Sequence, residues 1–389
     1  MSRVGGIDLA LAFFMGGQPK KVKRGNVTYY PIENPFSKSF VSKLRSGVFT
    51  SFSQRDQVKV GLLEGVVEDF KPDVIEVFGS ESFMGLVARR TQIPVVLHIQ
   101  GVLTPYFNAY FPPGVSKWSY AWSGVNPVLA AKRYMGLWWF RRRALRELDI
   151  VRSVKYFVGR TDWDRRVTLL FNPKANYFFG GEILREVFYL ESRRNIPKRL
   201  QIVSTLSAPL YKGHDVILKT AELLRDVCRV DFEWKVFGKV NLFWLRRLRR
   251  TGLSERVKLL GNQNAEVVRD ALLNATVFVH PSYIDNSPNS VCEAQMLGIP
   301  VIAADTGGVS SLIEDGKSGF LVPANDPYQT AFLAKQFFDD VDANISMGRI
   351  AQEVAHRRHA RDVIVNDLVG IYKEIVNGRG SDAKCHTSC

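Results

Sequence analysis

Cysteine is scarce in these 389 residues: Cys228, Cys292, Cys385 and Cys389 are too few and too scattered to frame a disulfide-stapled fold. No secretory leader precedes the first apolar run, so the expected compartment is reducing and cytoplasmic. No apolar run reaches the roughly 18 residues of a membrane span, and nothing repeats in the manner of a fibrous or solenoid protein. The tail trio Cys385, His386 and Cys389 lacks a second ligand pair, so it reads as a frayed terminus and no metal site is expected.

What remains is an ordinary globular composition, 46% hydrophobic and 23% charged, long enough for two domains with a core each. Acidic residues run short on one side only. The net charge is +15; residues 1–195 hold 29 Lys and Arg against 16 Asp and Glu, whereas residues 196–389 hold 24 against 22. A lopsidedly basic first half points to an anionic partner, a membrane surface or a nucleic acid.

The stretch from His280 to Pro300 organises the chain. Ala275 to Val279 reads as a buried strand, Pro281 and Ser282 start a turn, and Pro288 falls in the first turn of a helix. Asp285 in the loop and Glu293 on the helix can then look into one cleft, with free backbone amides expected near Asn289, Ser290 and Val291. Such a corner suits a phosphorylated sugar, because a helix N-terminus attracts anions and carboxylates accept from hydroxyls. An ordinary strand-to-helix corner with a solvated Asp has the same pattern.

An acid, seven intervening residues and a Glu, followed by Ala294, by Gly298-Ile299-Pro300-Val301 and by Thr306-Gly307-Gly308, resembles the signature of the family 4 (group 1) retaining glycosyltransferases of GT-B fold. Asp285 stands where that family usually carries Glu, and Asn286-Ser287-Pro288 replaces its Gly-Phe-Gly. The resemblance implies that Asp285 contacts the donor sugar, that Glu293 contacts the ribose, and that Gly307 and Gly308 offer backbone donors beside the sugar.

Upstream, apolar runs at Ile7 to Phe14 and Val27 to Ile32 flank Gly16-Gly17 and the basic segment Lys20 to Arg24. The strand, glycine-rich loop and helix with which the family opens are expected to be missing, and Gly5-Gly6 make a poor substitute. From residue 53, helix and strand alternate: Val58 to Phe70, Val74 to Phe78, a helix over Ser82 to Arg90, and Val95 to Ile99. This predicts a parallel sheet covered by helices. His98, near a strand's carboxyl end, matches the place of the family's active-site His; a His packed at a strand end reads the same way. Residues 105 to 146 interleave Tyr106, Trp118, Trp122, Trp138 and Trp139 with Lys117, Lys132 and the triplet Arg141 to Arg143. That pattern fits a membrane interface, an aromatic core under a solvated arginine face, or, with less support, a nucleic-acid groove. Arg160, opening the next helix after strand Tyr156 to Gly159, resembles a cleft-facing family residue that binds a phosphate, with a structural ion pair as the other reading.

The second domain opens on strand Gln201 to Ser204. Its first loop sets Lys212 and Gly213 at a strand-to-helix turn, a phosphate-cradling arrangement in which Ser207 stands where the family often has Arg. Helices are expected over 327–341 and 344–376. The expected layout is an acceptor-binding domain over 1–195, a nucleotide-sugar-binding domain over 196–359, a helix crossing back over 360–377 and a tail over 378–389. The fold class is thus α/β, GT-B, two Rossmann-like domains facing a cleft. The resemblance implies retaining transfer of a sugar from a nucleotide diphosphate sugar to an acceptor hydroxyl, without a metal or other cofactor. The acceptor is expected to be a glycan or lipid-linked glycan, which the basic aromatic first half would meet at the inner face of a membrane, and with no recognition motif present no nucleic-acid partner is expected. The other readings are a sugar-nucleotide epimerase, a glycogen-type phosphorylase, or a non-catalytic relative.

Overall fold

The computed structural model describes residues 6–17, 20–36, 52–122, 126–190, 194–240 and 242–378. Gly5 and most of the 378–389 tail, with its Cys385, His386 and Cys389, lie outside them.

Strands β1 (Leu9–Met15), β2 (Val22–Arg24) and β3 (Val27–Glu33) form a small sheet of order β1-β3-β2, in which β3 pairs parallel with β1 and antiparallel with β2. A short hairpin strand joins β1 to β3 in place of a crossover helix. After α1 (Phe52–Phe70), a second sheet runs β4 (Ile75–Phe78), β5 (Val95–His98), β6 (Tyr156–Gly159) and β7 (Asn176–Phe179), parallel throughout and in chain order. The helix expected over Ser82 to Arg90 is a 3-10 helix, Phe83–Arg89, with Ser82 Oγ accepting from the Met84 amide. Between β5 and β6 lie α2 (Leu103–Asn108), α3 (Lys117–Ala121) and the long α4 (Pro127–Ser153); α5 (Asp162–Phe171) follows β6.

One face of this sheet turns Val77, Val95, Leu97 and Phe157 toward Val60 and Leu63 of α1 and Ile150 of α4. The other face, period two out of phase, turns Val96 and Val158 toward Ile371 and Ile375 near the chain's end.

The second domain is a six-stranded parallel sheet: β8 (Leu200–Thr205), β9 (Phe232–Phe237), β10 (Val257–Gly261), β11 (Val277–His280), β12 (Val301–Ala304) and β13 (Phe320–Val322), in the order β10-β9-β8-β11-β12-β13. β9 alternates with Glu233 and Lys235, whereas β11 and β12, apolar but for His280, are buried throughout because helices cover both faces. These are α6 (His214–Asp226), α7 (Leu242–Arg250), α8 (Ala265–Leu273), α9 (Asn289–Met296) and α10 (Pro327–Asp339). The order reverses between β8 and β11, and at such a switch point the loops leaving two adjacent strands diverge and open a crevice. Lys212 and Asp285 sit in the loops after those two strands.

The long final helix breaks in two, α11 (Val341–Arg358) and α12 (Arg361–Val376), at His359, whose buried ring contacts the Glu182 carbonyl through Nδ1 at 2.8 Å. Arg194, in the segment joining the sheets, donates to the carbonyls of Ala275 (3.0 Å) and Thr276 (2.9 Å), so this stretch is fastened to the second domain. The aromatic block of the first half divides. Val115, Tyr120 and Leu137 are buried in the same cluster as Trp234 and Trp244 of the second domain, while Trp118, Trp122 and Trp138 stay exposed.

Trp234 is fully buried at the centre of that cluster, its Nε1 donating to Ser204 Oγ at 3.0 Å. Trp234→Ala is expected to cost about 3–5 kcal/mol of second-domain stability, read as a lower denaturation midpoint by circular dichroism. An unchanged midpoint would show that the site refills.

Candidate functional site

The switch-point loops are pressed together, and glycines make the contact possible. Gly213 caps α6 at φ 77°, and a Cβ there would stand 2.1 Å from the Pro281 carbonyl oxygen. Gly307, at φ 58°, would bring a Cβ to 1.9 Å from the Asp285 carbonyl oxygen. Only glycine tolerates both the left-handed conformation and the proximity.

Between these loops Lys212 Nζ donates to Asp285 Oδ2 at 2.6 Å, and His280 Nε2 lies 3.1 Å from the same oxygen. Burial pushes the Asp285 carboxyl up, but Lys212 and His280 outweigh it and hold it well below the usual carboxylate range. Tyr106 of α2 adds a longer contact, its hydroxyl 3.4 Å from Asp285 Oδ1, and its ring packs against Tyr211 at 5.4 Å.

Two expectations about backbone donors change. The Gly308 amide donates to the Asp285 carbonyl at 2.9 Å, so Gly307 and Gly308 brace the loop that carries Asp285, and the Gly308 donor is spent. Of the amides near the helix start, that of Val291 donates to the Pro288 carbonyl at 3.0 Å. Pro288 is the N-cap and not the first helical residue, so the tight turn it begins consumes this donor and leaves Asn289 and Ser290 at the exposed end.

Glu293 does not share Asp285's partners. It is buried and accepts a two-pronged bond from Arg185, Nε to Oε1 and Nη2 to Oε2, both 2.8 Å. Burial raises its pKa against the pull of that guanidinium.

From the first domain, Arg160 reaches across. Its Nη1 donates to Asn289 Oδ1 at 3.1 Å and pairs with Glu182, and its Nη2 donates to Gln100 Oε1 at 3.3 Å. Thr161, which caps α5 by accepting from the Asp164 amide, donates its hydroxyl to Asn286 Oδ1 at 2.6 Å; Asn286 Nδ2 donates to Asp164 Oδ2 at 2.8 Å. The residue that departs from the family's glycine-rich pattern therefore ties the two domains together. His98 is the last residue of β5, at the strand's carboxyl end. Its Nδ1 lies 2.8 Å from Glu76 Oε1 on the neighbouring strand and its ring packs on Phe78, while Nε2 is buried without a hydrogen-bonding partner. Gln100, two residues on, is the one that meets Arg160.

Sequence reasoning passed over Gln100, Tyr106, Asn286, Glu182 and Arg185 as site residues. Only Asn286 carried a signal, as a break in a motif; the others become neighbours through folding alone. Among the described residues no three of His, Cys, Asp and Glu gather as metal ligands. The arrangement offers two cations and polar loop ends over a charged carboxylate, which fits an anionic leaving group next to a hydroxyl-rich one.

Comparison with known proteins places the chain. Residues 197–340, which hold the second sheet and its helices, match the family described as Glycosyl transferases group 1. The chain is similar to a D-inositol 3-phosphate glycosyltransferase of Salinispora tropica, 29% identical over 213 residues, covering 51% of this chain and 43% of that protein. It is also similar to WcaL of Escherichia coli (strain K12), named for a glycosyltransferase role in colanic acid biosynthesis, 28% identical over 187 residues and 45% of each chain. The matches thus span less than half the length of these relatives. Among solved structures, sucrose-phosphate synthase from Thermosynechococcus elongatus superimposes with a TM-score of 0.71 at 14% identity, covering 94% of this chain and 89% of that one. HepE of Anabaena, solved with UDP and glucose, gives 0.62 at 15%, covering 92% and 87%. The fold is GT-B.

One buried carboxyl supports the site from behind. Val102, at the N-cap of α2, has no side chain to accept the helix's first amides, and Glu147 Oε2 supplies that acceptor to Leu103 (2.7 Å) and Thr104 (3.2 Å). Ser80 Oγ stands 2.5 Å from Glu147 Oε1 and 3.0 Å from the Gly101 carbonyl, and its single proton satisfies one of them; a protonated Glu147 donating to Ser80 satisfies both. Burial raises this carboxyl to about 7, despite Ser80 and the two amides. A folded pKa above the unfolded one means that the native state binds the extra proton, so this stabilisation is complete below pH 4.5 and is lost as pH rises through 7. Glu147→Gln is expected to flatten the stability profile across that window, by up to about 3 kcal/mol, in denaturation series at stepped pH. Parallel profiles would refute it. A second expectation concerns the glycine braces. Gly307→Ala should displace the Asp285 loop and lower the melting temperature by several degrees.

Proposed function

We propose that this protein transfers a sugar from a nucleotide diphosphate sugar to an acceptor hydroxyl, with retention of anomeric configuration and without a metal or other cofactor. The observation that carries the reading is the buried Lys212–Asp285 pair at the switch point, facing Arg160 and the start of α9. Charge develops on the diphosphate as the sugar leaves, and preorganised cations and amides stabilise it. Lys212, Arg160 and the amides of Asn289 and Ser290 would serve that role. Asp285 would orient the sugar once the diphosphate draws Lys212 away from it. Glu293 would meet the ribose by exchanging its Arg185 contact. His98, with one free ring nitrogen, would contact a donor hydroxyl. The colanic acid role in the name of WcaL and the UDP bound by HepE support a polysaccharide setting and a uridine donor.

The acceptor would be a glycan or lipid-linked glycan at the inner face of a membrane, with the protein bound peripherally from the cytoplasm. Among the described residues no helix is long and apolar enough to cross a membrane. Trp118, Trp122, Tyr134, Met135 and Trp138 are exposed along α3 and α4, beside the exposed Arg141 and Arg142, and the Arg142 guanidinium lies 5.0 Å from the Trp138 ring centre. Rings at headgroup depth with cations on lipid phosphates fit this face.

Thermal melting with UDP, GDP and ADP and their glucose conjugates tests the donor site. One nucleotide should raise the melting temperature by several degrees, and an Asp285→Ala, Glu293→Ala double variant should lose the shift. No shift with any of them would favour a non-catalytic GT-B protein, and release of nucleotide together with an epimerised sugar would favour the epimerase reading. For the membrane face, flotation with phosphatidylglycerol vesicles should carry the protein up, and Trp118→Ala, Trp138→Ala should leave it at the bottom. Equal flotation of both forms would remove this face from the proposal.

A further inference from the structure

The carboxyl ends of β4 and β5 present a second pair of polar groups that the donor site does not use. Gly79 follows β4 at φ 83°, turning the chain back on itself; a Cβ there would stand 2.2 Å from Glu81 Oε2 and 3.8 Å from Gln100 Cγ. The Glu81 carboxylate is therefore folded over Gly79, beside the Gln100 side chain. Both are held from behind. Arg146 Nη2 donates to the Glu81 carbonyl at 2.7 Å, and Ser80 Oγ links the loop to the Gly101 carbonyl at 3.0 Å. Arg160 occupies Gln100 Oε1, which orients the amide and leaves Nε2 buried without a hydrogen-bonding partner among the described residues.

Beyond its own backbone amide, the Glu81 carboxylate has no hydrogen-bonding or ion-pair partner among the described residues. Burial raises its pKa, and exposed Arg143 is the cation that opposes this. An unspent acceptor thus stands beside an unspent donor, next to Arg160 and on the side of Tyr106, whose own titration responds to both Asp285 and Glu81. Leaving both groups unsatisfied in a part-buried place is costly, and a hydroxyl, which donates and accepts through one oxygen, satisfies the two together.

We infer that Glu81 and Gln100 form the subsite for the accepting hydroxyl: Glu81 receives its proton in a hydrogen bond and Gln100 Nε2 donates to its oxygen. This rests on the glycosyl-transfer reading above and adds to it the acceptor side, on the first domain. A donor-sugar hydroxyl has the same chemistry, and the test separates the two.

In the absence of an acceptor, water takes that place. Its oxygen bonds to the anomeric carbon of UDP-glucose, the bond from that carbon to the diphosphate breaks, and UDP, glucose and a proton are released. Wild type, Glu81→Ala, Glu81→Gln and Gln100→Ala would be compared for UDP-glucose affinity by calorimetry and for slow hydrolysis, with a crystal structure of wild type bound to UDP. The expected result is affinity within twofold for all four and hydrolysis at least tenfold lower in the two alanine variants. Glu81→Gln, which keeps an acceptor oxygen, should fall between, and an ordered water should bridge Glu81 and Gln100 Nε2 in the crystal. Affinity falling in step with hydrolysis would assign the pair to the donor sugar and overturn the inference, as would unchanged hydrolysis or a crystal without the bridging water. A wild type that binds none of the nucleotide sugars would bring down the glycosyl-transfer reading, and this subsite with it.

Discussion

A carboxylate taken out of water has to be paired, and the pairing of Asp285 organises the second domain's edge. Its partner comes from the loop after β8, whereas Asp285 follows the adjacent parallel strand β11, so the two loops must meet although the chain continues from them toward opposite edges of the sheet. Convergence is a matter of backbone room. Gly213 lies against the Pro281 carbonyl and Gly307 against the Asp285 carbonyl at separations that no Cβ permits. The Gly308 amide then closes the third loop onto the first two. Remove the glycines and the ion pair loses its geometry; remove the lysine and a buried charge stands uncompensated.

The same loop carries the contact between domains. Asn286 is held by Thr161 and Asp164, Asn289 by Arg160, and around this polar seam the packing is aromatic: Tyr110 against Tyr211 at 6.0 Å and Tyr120 against Phe243 at 6.4 Å. Polar groups at the cleft and apolar groups at its flank divide the labour. Hydrogen bonds fix the relative register of Arg160 and Asp285, and burial of the rings supplies the non-directional attraction that brings the walls together. α12 adds a second tie, laying Ile371 and Ile375 on the back of the first sheet. Because α3 and α4 turn one side to the second domain, Trp118, Trp122 and Trp138 on the other side stay exposed among the described residues.

Much of this was legible in the chain's order of residues. Runs such as Val95 to Ile99 and Ala275 to Val279 announce buried parallel strands, because a strand covered on both faces has little polar alternation. The Asp285 to Gly308 motif marks the corner where ligands meet such sheets. What periodicity did not separate was a 3-10 helix from an α-helix over Phe83–Arg89, or one terminal helix from two broken at His359, since both alternatives bury the same positions. The aromatic block was read as either core or interface, and it is divided between an interdomain contact and an exposed face, a distinction that depends on where the second domain lies.

The sequence by itself determined the α/β plan with parallel sheets, the basic first half and the residue types at the corner, because strand burial, glycine placement and charge are properties of short stretches. Only the tertiary structure decided who faces whom. Asn286 with Thr161, Glu293 with Arg185, Gln100 with Arg160, and the consumed amides of Val291 and Gly308 all follow from which strand ends are adjacent and how near their loops approach. Those are distances between segments up to 186 residues apart, as between Gln100 and Asn286, and no local pattern encodes them.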